Sequence, residues 1–367
     1  MNSIKIIVVA GARPNFMKIA PIMESFDASD RIEPVLVHTG QHYDEKMSDL
    51  FFRQLGIPSP DVNLGVGSGS HAVQTAEIMK SFEPVLISQQ PAAVLVVGDV
   101  NSTIACGYVA AKMGIKLIHV EAGLRSFDRA MPEEINRVLT DAISDILFCT
   151  EKSGVENLKK EGVTASRIFM VGNVMIDTLL KNLEKAKQSP IMQQLNLKPG
   201  SYATMTMHRP SNVDNPDVLV GLLDAIEVIQ RDIPIIFPIH PRTRNNIVKF
   251  KFADRMKNMP NLRFIEPLGY LDFLLLNANA ACVLTDSGGL QEETTVLGTP
   301  CITMRENTER PITCEVGTNQ IVGTDTDAII AAWTRVQNGE YDKRGIPEMW
   351  DGKAADRITQ ILLDILG

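Results

Sequence analysis

The chain has 367 residues, of which 44% are hydrophobic and 22% are charged, and its formal net charge at pH 7 is −8. This length allows two domains with separate cores, and the composition is that of a globular protein, not of a disordered or fibrous one. The negative charge argues against nucleic-acid binding and against an anionic membrane surface, although a local cluster of cations can still bind a small anion.

The apolar runs and the cysteines exclude further classes of protein. The first apolar run, Ile4–Ala10, is too short for a signal sequence, and no stretch approaches the roughly 18 apolar residues of a membrane span. The five cysteines are widely scattered and lie mostly in strand-like runs, as buried thiols of a reducing compartment do. We therefore expect a cytoplasmic protein with no metal site and no contact with a membrane.

From its first residues onward the chain alternates apolar, β-branched runs with amphipathic stretches that end at Gly or Pro. Near-continuous apolar strands separated by helices predict a parallel sheet covered on both faces. A polar stretch between Lys181 and Ser201 interrupts this alternation once. The predicted strands are 4–10, 34–38, 92–97, 115–120, 146–149 and 168–171 before the interruption, and 202–207, 234–239, 262–265, 281–285, 300–304 and 320–322 after it.

This pattern predicts two doubly wound α/β domains joined near residue 175. Ligands of such folds bind at the carboxyl ends of the strands, and with two domains the cleft between them is the default site. Three of the six histidines, several arginines and three isolated carboxylates directly follow predicted strands. By this criterion the candidate site residues include Arg13, Asp99, Glu121, His208 and His240.

Residues 285–289, Thr-Asp-Ser-Gly-Gly, connect a predicted strand to a short helix. Ser287, Gly288 and Gly289 would let a phosphate approach the N–H groups of the helix N-terminus, which favours an anion by about 0.3–1 kcal/mol per interaction. A serine N-cap followed by a tight turn explains the same residues equally well.

Residues around this turn favour the phosphate interpretation. Glu293 lies one turn into the same helix, where a carboxylate can accept two hydrogen bonds from a ribose diol. In the first domain, Arg13 ends a strand and Lys18 follows one turn later, which predicts a counter-charge for a phosphate, although an ordinary surface arginine remains the alternative.

Several side chains are candidates for proton transfer. Asp99 either caps the helix that starts near residue 101 or presents its carboxylate to the cleft, whereas Glu121 lies uncrowded at a strand end. Glu133 and Arg137 are four residues apart on one helix and form either a salt bridge or a functional pair. His208 is a candidate to bind or protonate a phosphate.

Two other motifs have simpler explanations. Residues 65–69 resemble a dinucleotide-binding glycine loop, but their third glycine is misplaced and a poor strand precedes them. Residues 325–327, Asp-Thr-Asp, resemble a metal-binding carboxylate pair but directly precede a predicted helix, where Asp is a common cap. No cofactor is therefore expected.

Taken together, these residues closely resemble the non-hydrolysing UDP-N-acetylglucosamine 2-epimerases over essentially the whole chain. The matching motifs are Gly11-Ala12-Arg13-Pro14 with Lys18, Gly40-Gln41-His42, Gly98-Asp99, His119-Val120-Glu121-Ala122-Gly123-Leu124-Arg125, Pro132-Glu133-Glu134-Ile135-Asn136-Arg137, Gly172-Asn173, His208-Arg209, Thr285-Asp286-Ser287-Gly288-Gly289-Leu290-Gln291-Glu292-Glu293 and Thr308-Glu309-Arg310-Pro311.

The resemblance implies a glycosyltransferase-B-type fold with two Rossmann-like domains and the active site in the cleft between them. The first domain would comprise residues 1–174 joined by a C-terminal helix at 354–367, and the nucleotide-binding domain residues 175–353. The resemblance also implies a cytoplasmic homodimer that acts on a UDP-sugar without a cofactor.

The activity it implies is the interconversion of UDP-GlcNAc and UDP-ManNAc, by elimination of UDP to 2-acetamidoglucal and re-addition. Asp99, Glu121 and Glu133 carry over as the acid/base set, with Glu293 on the ribose and Arg310 near the sugar or phosphate. The diphosphate would be held by Arg13, His208, Ser287, Gly288 and Gly289. Lys18, Arg137 and His240 complete the predicted substrate-binding set.

The sequence departs from the common bacterial pattern after His208-Arg209, where it reads Pro210-Ser211-Asn212-Val213-Asp214 in place of an Arg-Glu pair. The loop 125–132 is also shorter than the corresponding loop of the best-known family members. In both features the sequence is more similar to the archaeal-like branch of the family and to the epimerases of modified sugars. A UDP-2,3-diacetamido uronic acid is therefore an alternative substrate. A glycosyltransferase on the same fold is a further alternative.

Overall fold

A computed structural model describes residues 3–40, 55–341 and 345–367. The motif residues Gln41 and His42 lie outside the described residues. The backbone of Arg13 is described and begins the first helix, but its side chain is not, so the predicted phosphate contact of Arg13 stays a prediction.

Thirteen strands and sixteen α-helices form within the described ranges. The strands are β1 Ile4–Ala10, β2 Ile32–His38, β3 Val62–Asn63, β4 Ala93–Val97, β5 Lys116–Val120, β6 Ile146–Cys149, β7 Ile168–Met170, β8 Ala203–Thr206, β9 Ile235–Pro238, β10 Leu262–Ile265, β11 Cys282–Thr285, β12 Cys301–Thr303 and β13 Asn319–Ile321. The helices are α1 Arg13–Asp27, α2 His71–Gln89, α3 Asn101–Lys112, α4 Pro132–Ile143, α5 Lys152–Lys160, α6 Val174–Ala186, α7 Ile191–Gln194, α8 Pro210–Val213, α9 Pro216–Asp232, α10 Pro241–Lys249, α11 Ala253–Lys257, α12 Tyr270–Asn279, α13 Gly288–Leu297, α14 Ile312–Glu315, α15 Thr326–Gln337 and α16 Ala354–Leu366.

The strands build two parallel sheets with the same winding. The first has seven strands in the order β3-β2-β1-β4-β5-β6-β7, and the second has six in the order β10-β9-β8-β11-β12-β13. In each sheet the direction of winding reverses beside the first strand, between β1 and β4 and between β8 and β11. The predicted fold class, two Rossmann-like doubly wound sheets, is confirmed. The carboxyl ends at each reversal are the places where such sheets bind ligands.

All twelve predicted strands are present, with ends within two residues of the predicted ones. The strand β3 was not among the predicted strands, and its two residues lie in the segment 60–64 before the glycine loop, which was described as a poor strand. It pairs with the edge of the first sheet, Val37 with Val62 and His38 with Asn63. A two-residue edge strand that is only half-buried needs no apolar run, so composition does not reveal it.

The chain forms two compact units, Met1–Lys181 with Glu348–Gly367, and Asn182–Pro347. Each has its own core of buried side chains from the sheet and its covering helices. Val94 and Phe82 are examples in the first unit, and Phe237 and Trp333 in the second. Burial of each such side chain contributes roughly 1.5–3 kcal/mol, which makes this burial the main stabilising contribution in either unit.

The units divide later in α6 than the predicted boundary after residue 174, and the chain returns to the first unit earlier than residue 354. Contacts of α6 explain the first difference, because the Thr178 hydroxyl donates to the Met17 carbonyl at 2.6 Å. The Asp177 carboxylate also accepts the first N–H groups of α16, from Ala354 at 3.2 Å and Ala355 at 2.8 Å. The Trp350 indole donates to the Thr150 carbonyl at 3.0 Å, which holds the returning segment.

Candidate active site

The start of α1 is tied to the end of β4. The Asn15 side chain accepts hydrogen bonds from the N–H groups of Gly11 at 3.2 Å and Ala12 at 2.9 Å, and donates to the Val97 carbonyl at 3.1 Å. This arrangement places the backbone of Arg13 beside the loop that carries Asp99. The two strand ends flanking the reversal of the first sheet are therefore held together by one amide side chain.

Glu121 is a buried, ion-paired carboxylate at the end of β5. Lys18 of α1 contacts its carboxylate directly, and both side chains are almost fully buried. Glu121 has a φ of +76°, a conformation that costs a residue with a side chain about 1–3 kcal/mol and that is concentrated at functional sites. The prediction that Glu121 lies uncrowded at the strand end was wrong, because sequence spacing does not show that α1 brings Lys18 to β5.

Gly98 makes room for this ion pair. A Cβ atom on Gly98 would lie 2.9 Å from Lys18 Nζ and 3.2 Å from Glu121 Oε2, and the residue has a φ of +67°. Both features exclude a side chain here. The backbone of the β4 loop is thus in direct contact with the Lys18–Glu121 pair.

Asp99 contacts Arg137 of α4, with 2.5 Å between Asp99 Oδ2 and Arg137 Nη2. The alternative that Asp99 caps α3 was wrong, because the cap position is occupied by Val100. The Asn136 side chain also donates to the Asp99 carbonyl at 2.9 Å. The structure therefore brings the predicted residues Asp99 and Arg137 together.

Glu134, not Glu133, pairs with Arg137 along α4. The buried Glu134 carboxylate also accepts the N–H groups of Ser126 at 2.9 Å and Phe127 at 3.0 Å, which orders the loop before the helix. Glu133 is half-buried and makes no ion pair with any residue in the described ranges. The salt-bridge alternative for Glu133 and Arg137 was wrong, and their role as a functional pair stays a prediction. The i,i+3 spacing of Glu134 and Arg137 was the signal that could have identified the ion pair.

In the second unit, Asp286 at the end of β11 orients His208 at the end of β8. Asp286 Oδ1 lies 2.9 Å from His208 Nδ1, and Asp286 Oδ2 accepts the N–H groups of His208 and Arg209 at 2.8 Å each. Burial alone raises the pKa of Asp286, but the hydrogen bonds and charge of His208 lower it below its usual value. Asp286 was predicted only as part of the phosphate motif, and its position directly after β11 was the signal for this role.

Helix α13 begins at Gly288, directly after the cap residue Ser287. Ser287 occupies the cap position without a side-chain capping bond, so the simple serine-cap alternative was wrong. A Cβ on Gly288 would lie 3.1 Å from Arg310 Nη1, which shows that the Arg310 guanidinium lies against this helix end. The helix N-terminus and a guanidinium together form a site suited to an anion.

Arg310 is held by buried carboxylates. Arg310 Nε lies 2.5 Å from Glu292 Oε1, and Glu309 contacts both Arg310 at 3.6 Å and Arg305 at 2.9 Å. Such buried pairs lose hydration, so they persist only where several partners compensate each charge. The alternating charges of this network fix the orientation of Arg310.

Glu293 is fully buried on α13, and this position gives it an unusual affinity for its proton. Loss of hydration, followed by the nearby Glu292 charge, raises the pKa of Glu293 to about 8, while a hydrogen bond from Tyr270 lowers it in part. The carboxyl group is therefore largely protonated at neutral pH. Tyr270, at the start of α12, is a further residue at this site that the sequence did not indicate.

His240 has a structural role that the strand-end criterion did not predict. Its Nδ1 accepts the N–H of Arg242 at 3.2 Å and so caps α10. This bond requires the neutral form with the proton on Nε2. The imidazole rings of His240 and His208 lie 5.7 Å apart, so the structure does bring these two predicted residues together.

The two motifs with simpler explanations are both structural. Asp325 caps α15 by accepting the N–H of Ala328 at 2.9 Å, which confirms the capping interpretation. Residues 65–69 form a loop that does not open α2 directly, because Ser70 is the cap of that helix. Among the described residues, no group of three or more His, Cys, Asp or Glu side chains is placed to hold a metal ion.

All five cysteines are free thiols, and four of them are buried. None of the helices in the described ranges has the length and apolarity that crossing a membrane requires.

A sequence model described as UDP-N-acetylglucosamine 2-epimerase matches residues 24–363 of the chain. The chain belongs to the UDP-N-acetylglucosamine 2-epimerase family.

Individual relatives are similar over nearly their whole length. The UDP-N-acetylglucosamine 2-epimerase of Methanocaldococcus jannaschii is 42% identical over 363 residues, which cover 98% of each chain. A crystal structure of that enzyme with UDP-GlcNAc and UDP superposes with a TM-score of 0.91, covering 98% of this chain and 100% of the other. The UDP-2,3-diacetamido-2,3-dideoxy-D-glucuronate 2-epimerase of Pseudomonas aeruginosa is 40% identical, covering 98% of this chain and 99% of its own.

Proposed function

We propose that this member of the 2-epimerase family is a non-hydrolysing UDP-N-acetylglucosamine 2-epimerase, an isomerase that interconverts UDP-GlcNAc and UDP-ManNAc. The observation that carries the proposal is the set of carboxylates at the reversal of the first sheet, where Asp99 and Glu121 each face a buried cation. Similarity over 98% of the chain to an enzyme of that name supports the choice of substrate.

The second unit would bind the nucleotide. The N–H groups at the start of α13, with Ser287, Gly288 and Gly289, would accept the diphosphate, and Arg310 would supply a positive charge. His208, oriented by Asp286, would bind or protonate a phosphate oxygen. Glu293 would accept the ribose hydroxyls in its ionised form. Arg13, which begins α1, and His240, which lies beside His208, are proposed as further contacts.

The first unit would carry out the proton chemistry. The hydrogen at C2 is not acidic enough for unaided removal, so the C1–O bond to UDP breaks as the proton leaves, and the electron pair forms the double bond of 2-acetamidoglucal. Re-addition of UDP with proton delivery from the opposite face gives the other epimer. Two faces require two proton carriers, for which Asp99, Glu121 and Glu133 are the candidates.

Lys18 and Arg137 would hold Glu121 and Asp99 in place and balance their charge during elimination. The reaction breaks and reforms the same two bonds without net oxidation or reduction. The proposed chemistry therefore needs no redox cofactor.

The test is to incubate the protein with UDP-GlcNAc alone in D2O and to follow the sugar by NMR. We expect deuterium at C2 and the appearance of UDP-ManNAc. Absence of both would contradict the proposal for this substrate. A glycosyltransferase would need an acceptor, so exchange at C2 without one separates the two activities.

A second candidate is the epimerisation of a UDP-2,3-diacetamido uronic acid. It is favoured by the 40% identity to an enzyme of that name, close to the 42% identity to the UDP-GlcNAc enzyme. Running the same exchange experiment with each sugar nucleotide, at equal concentration, decides between them by the ratio of kcat/KM values.

We also propose that the protein is a cytoplasmic homodimer. Scattered free cysteines are typical of a reducing compartment, which supports the location. Helices α3 and α4 pack together and expose large apolar side chains, including Tyr108 and Leu139, which supports self-association.

A further inference from the structure

A buried histidine and aspartate lie behind the proposed catalytic carboxylates, and among the described side chains they form no hydrogen bond or ion pair with the predicted substrate-binding groups. His119 is on β5, two residues before Glu121, and is completely buried. Its Nδ1 lies 2.6 Å from Asp141 Oδ1, and its Nε2 lies 2.8 Å from the Gly98 carbonyl oxygen. His119 thus bridges helix α4 to the loop that carries Asp99.

The hydrogen-bond geometry determines the protonation of this imidazole. A carbonyl oxygen only accepts, so Nε2 must donate to Gly98. Asp141 also faces the Arg125 guanidinium, and a carboxylate that lies between a guanidinium and a ring nitrogen accepts from both. Both ring nitrogens therefore face acceptors, an arrangement that favours a proton on each nitrogen.

The charges around this imidazolium are balanced within the protein. Asp141 Oδ2 lies 2.7 Å from Arg125 Nη1, and Arg125 pairs in turn with Glu161 at 2.6 Å. Two cations and two carboxylates thus alternate in a chain, and this alternation lowers the free-energy cost of burying a doubly protonated histidine. Asp141 Oδ2 also accepts the N–H of Gly123 at 3.0 Å, so it binds the loop that follows Glu121.

We propose that His119 and Asp141 are a positioning pair, in which Asp141 holds His119 doubly protonated and His119 fixes the peptide of Gly98. Gly98 directly precedes Asp99, and its α-carbon lies against the Lys18–Glu121 pair. A shift of this peptide therefore moves Asp99 and displaces Glu121 at the same time. Misplacement of reacting groups by about 1 Å can cost on the order of a hundredfold in rate.

The kinetic test rests on the proposed epimerase function and uses Asp141→Asn. The Asn side chain can accept from Gly123 and donate its NH2 to an unprotonated Nδ1, but it removes the charge that keeps the second proton on the imidazole. The neutral ring is then a weaker donor to the Gly98 carbonyl, so this peptide is held less firmly. We expect kcat for UDP-GlcNAc epimerisation to fall at least about tenfold while KM changes by less than about threefold. The matched control is Asp145→Asn, whose carboxylate accepts the N–H of Leu117 at 2.8 Å at the other end of β5. Equal kcat values for the two variants would overturn the proposal.

A spectroscopic test of the His119–Asp141 pair does not depend on enzymatic activity. In protein labelled with ¹⁵N-histidine, we expect the wild-type His119 ring to hold two nitrogen-bound protons at pH 8, and the ring in Asp141→Asn to hold one. A single ring proton in the wild type would overturn the proposal even if Asp141→Asn fails to fold. If the wild-type protein shows no epimerisation or exchange, the proposed function fails, and the ring protons still decide whether the pair exists.

Discussion

At the scale of single residues, the candidate site contains several buried charges that are compensated by ion-pair partners, most of them from another element. Lys18 compensates Glu121, Arg137 compensates Asp99 and Glu134, and Glu292 compensates Arg310. Removal of one member of such a pair leaves a buried charge unpaired and costs more than the pair contributes. For each single substitution, the stability of the fold must therefore be measured together with the activity.

The first prediction concerns the proposed role of Glu121 in proton transfer. Glu121→Gln retains the shape of the side chain but removes its basicity, so deuterium incorporation at C2 should fall by about 10²–10⁴-fold. The affinity for UDP, measured by calorimetry, should change by less than about threefold, because Glu121 is not among the proposed nucleotide contacts. The exposed Glu156 of α5 supplies the control, and Glu156→Gln should exchange at the wild-type rate. Loss of UDP binding in Glu121→Gln would show that Glu121 is structural.

The second prediction follows from the raised pKa of Glu293. If the ionised carboxylate accepts the ribose hydroxyls, a group with a pKa of about 8 must lose its proton before or during binding. Affinity for UDP should therefore rise about tenfold between pH 7 and pH 9, and binding at pH 7 should release close to one proton.

The affinity for UDP and the number of protons released on binding are both measured by calorimetry in buffers with different ionisation enthalpies. Glu293→Gln cannot titrate and should lack both the rise attributable to this group and the proton release. A wild-type affinity whose pH dependence matches that of Glu293→Gln would contradict the proposed ribose contact.

At the scale of elements, the candidate site residues lie at the ends of strands and helices, and many of these positions were predictable from the sequence. Thr285 to Gly289 follows an apolar strand and opens a helix, so the sequence predicted its position, while the binding of an anion there stays a prediction. The pairing of Lys18 with Glu121 was not predictable, because 103 residues separate them and only the winding of the sheet brings α1 beside β5. Glu134 was missed for a local reason, since Glu133 and Glu134 fit the same helical pattern and differ only in the face they occupy.

The third prediction concerns the attachment of α16 through Asp177. Burial raises the pKa of Asp177 from 3.8 to about 6, partly offset by the hydrogen bonds from Ala355 and Ala354. Because the folded-state pKa lies above the unfolded one, this group stabilises the fold fully below about pH 4, and that contribution is lost as the pH rises through about 6. Asp177→Ala should therefore cost about 1.4 kcal/mol more in unfolding free energy at pH 5 than at pH 8.

This difference is measurable by urea unfolding with Trp350 as the probe, in a Trp333→Phe background that leaves one indole in the protein. Trp350 is buried and bound to Thr150, so it reports on the first unit. Asp177→Asn, which cannot titrate, should show the same loss of pH dependence. An equal cost of Asp177→Ala at both pH values would contradict the assigned titration.

At the scale of the whole molecule, the sequence predicted two Rossmann-like sheets because each sheet is buried on both faces and needs apolar strands throughout. It did not predict β3, which lies at an edge and packs on few neighbours, nor where α6 divides the units. Those features depend on contacts of Val62, Asp177 and Thr178 with distant segments, and such contacts leave no local pattern. The buried network around His119 and Asp141 was missed for the same reason.

The fourth prediction addresses the proposed homodimer. Leu139 of α4 is 49% exposed and Tyr108 of α3 is 44% exposed, and burial of such side chains against a second copy would be favourable. Sedimentation velocity should give a mass of twice the 40.4 kDa of one chain. Leu139→Asp should shift this mass toward that of one chain, because a carboxylate buried in an apolar interface loses its hydration without a partner.

Val248→Asp places the same charge on α10, where Val248 is 66% exposed, and should leave the mass unchanged. A dimer that survives Leu139→Asp would place the interface elsewhere, and a wild-type monomer at micromolar concentration would contradict the proposed assembly altogether.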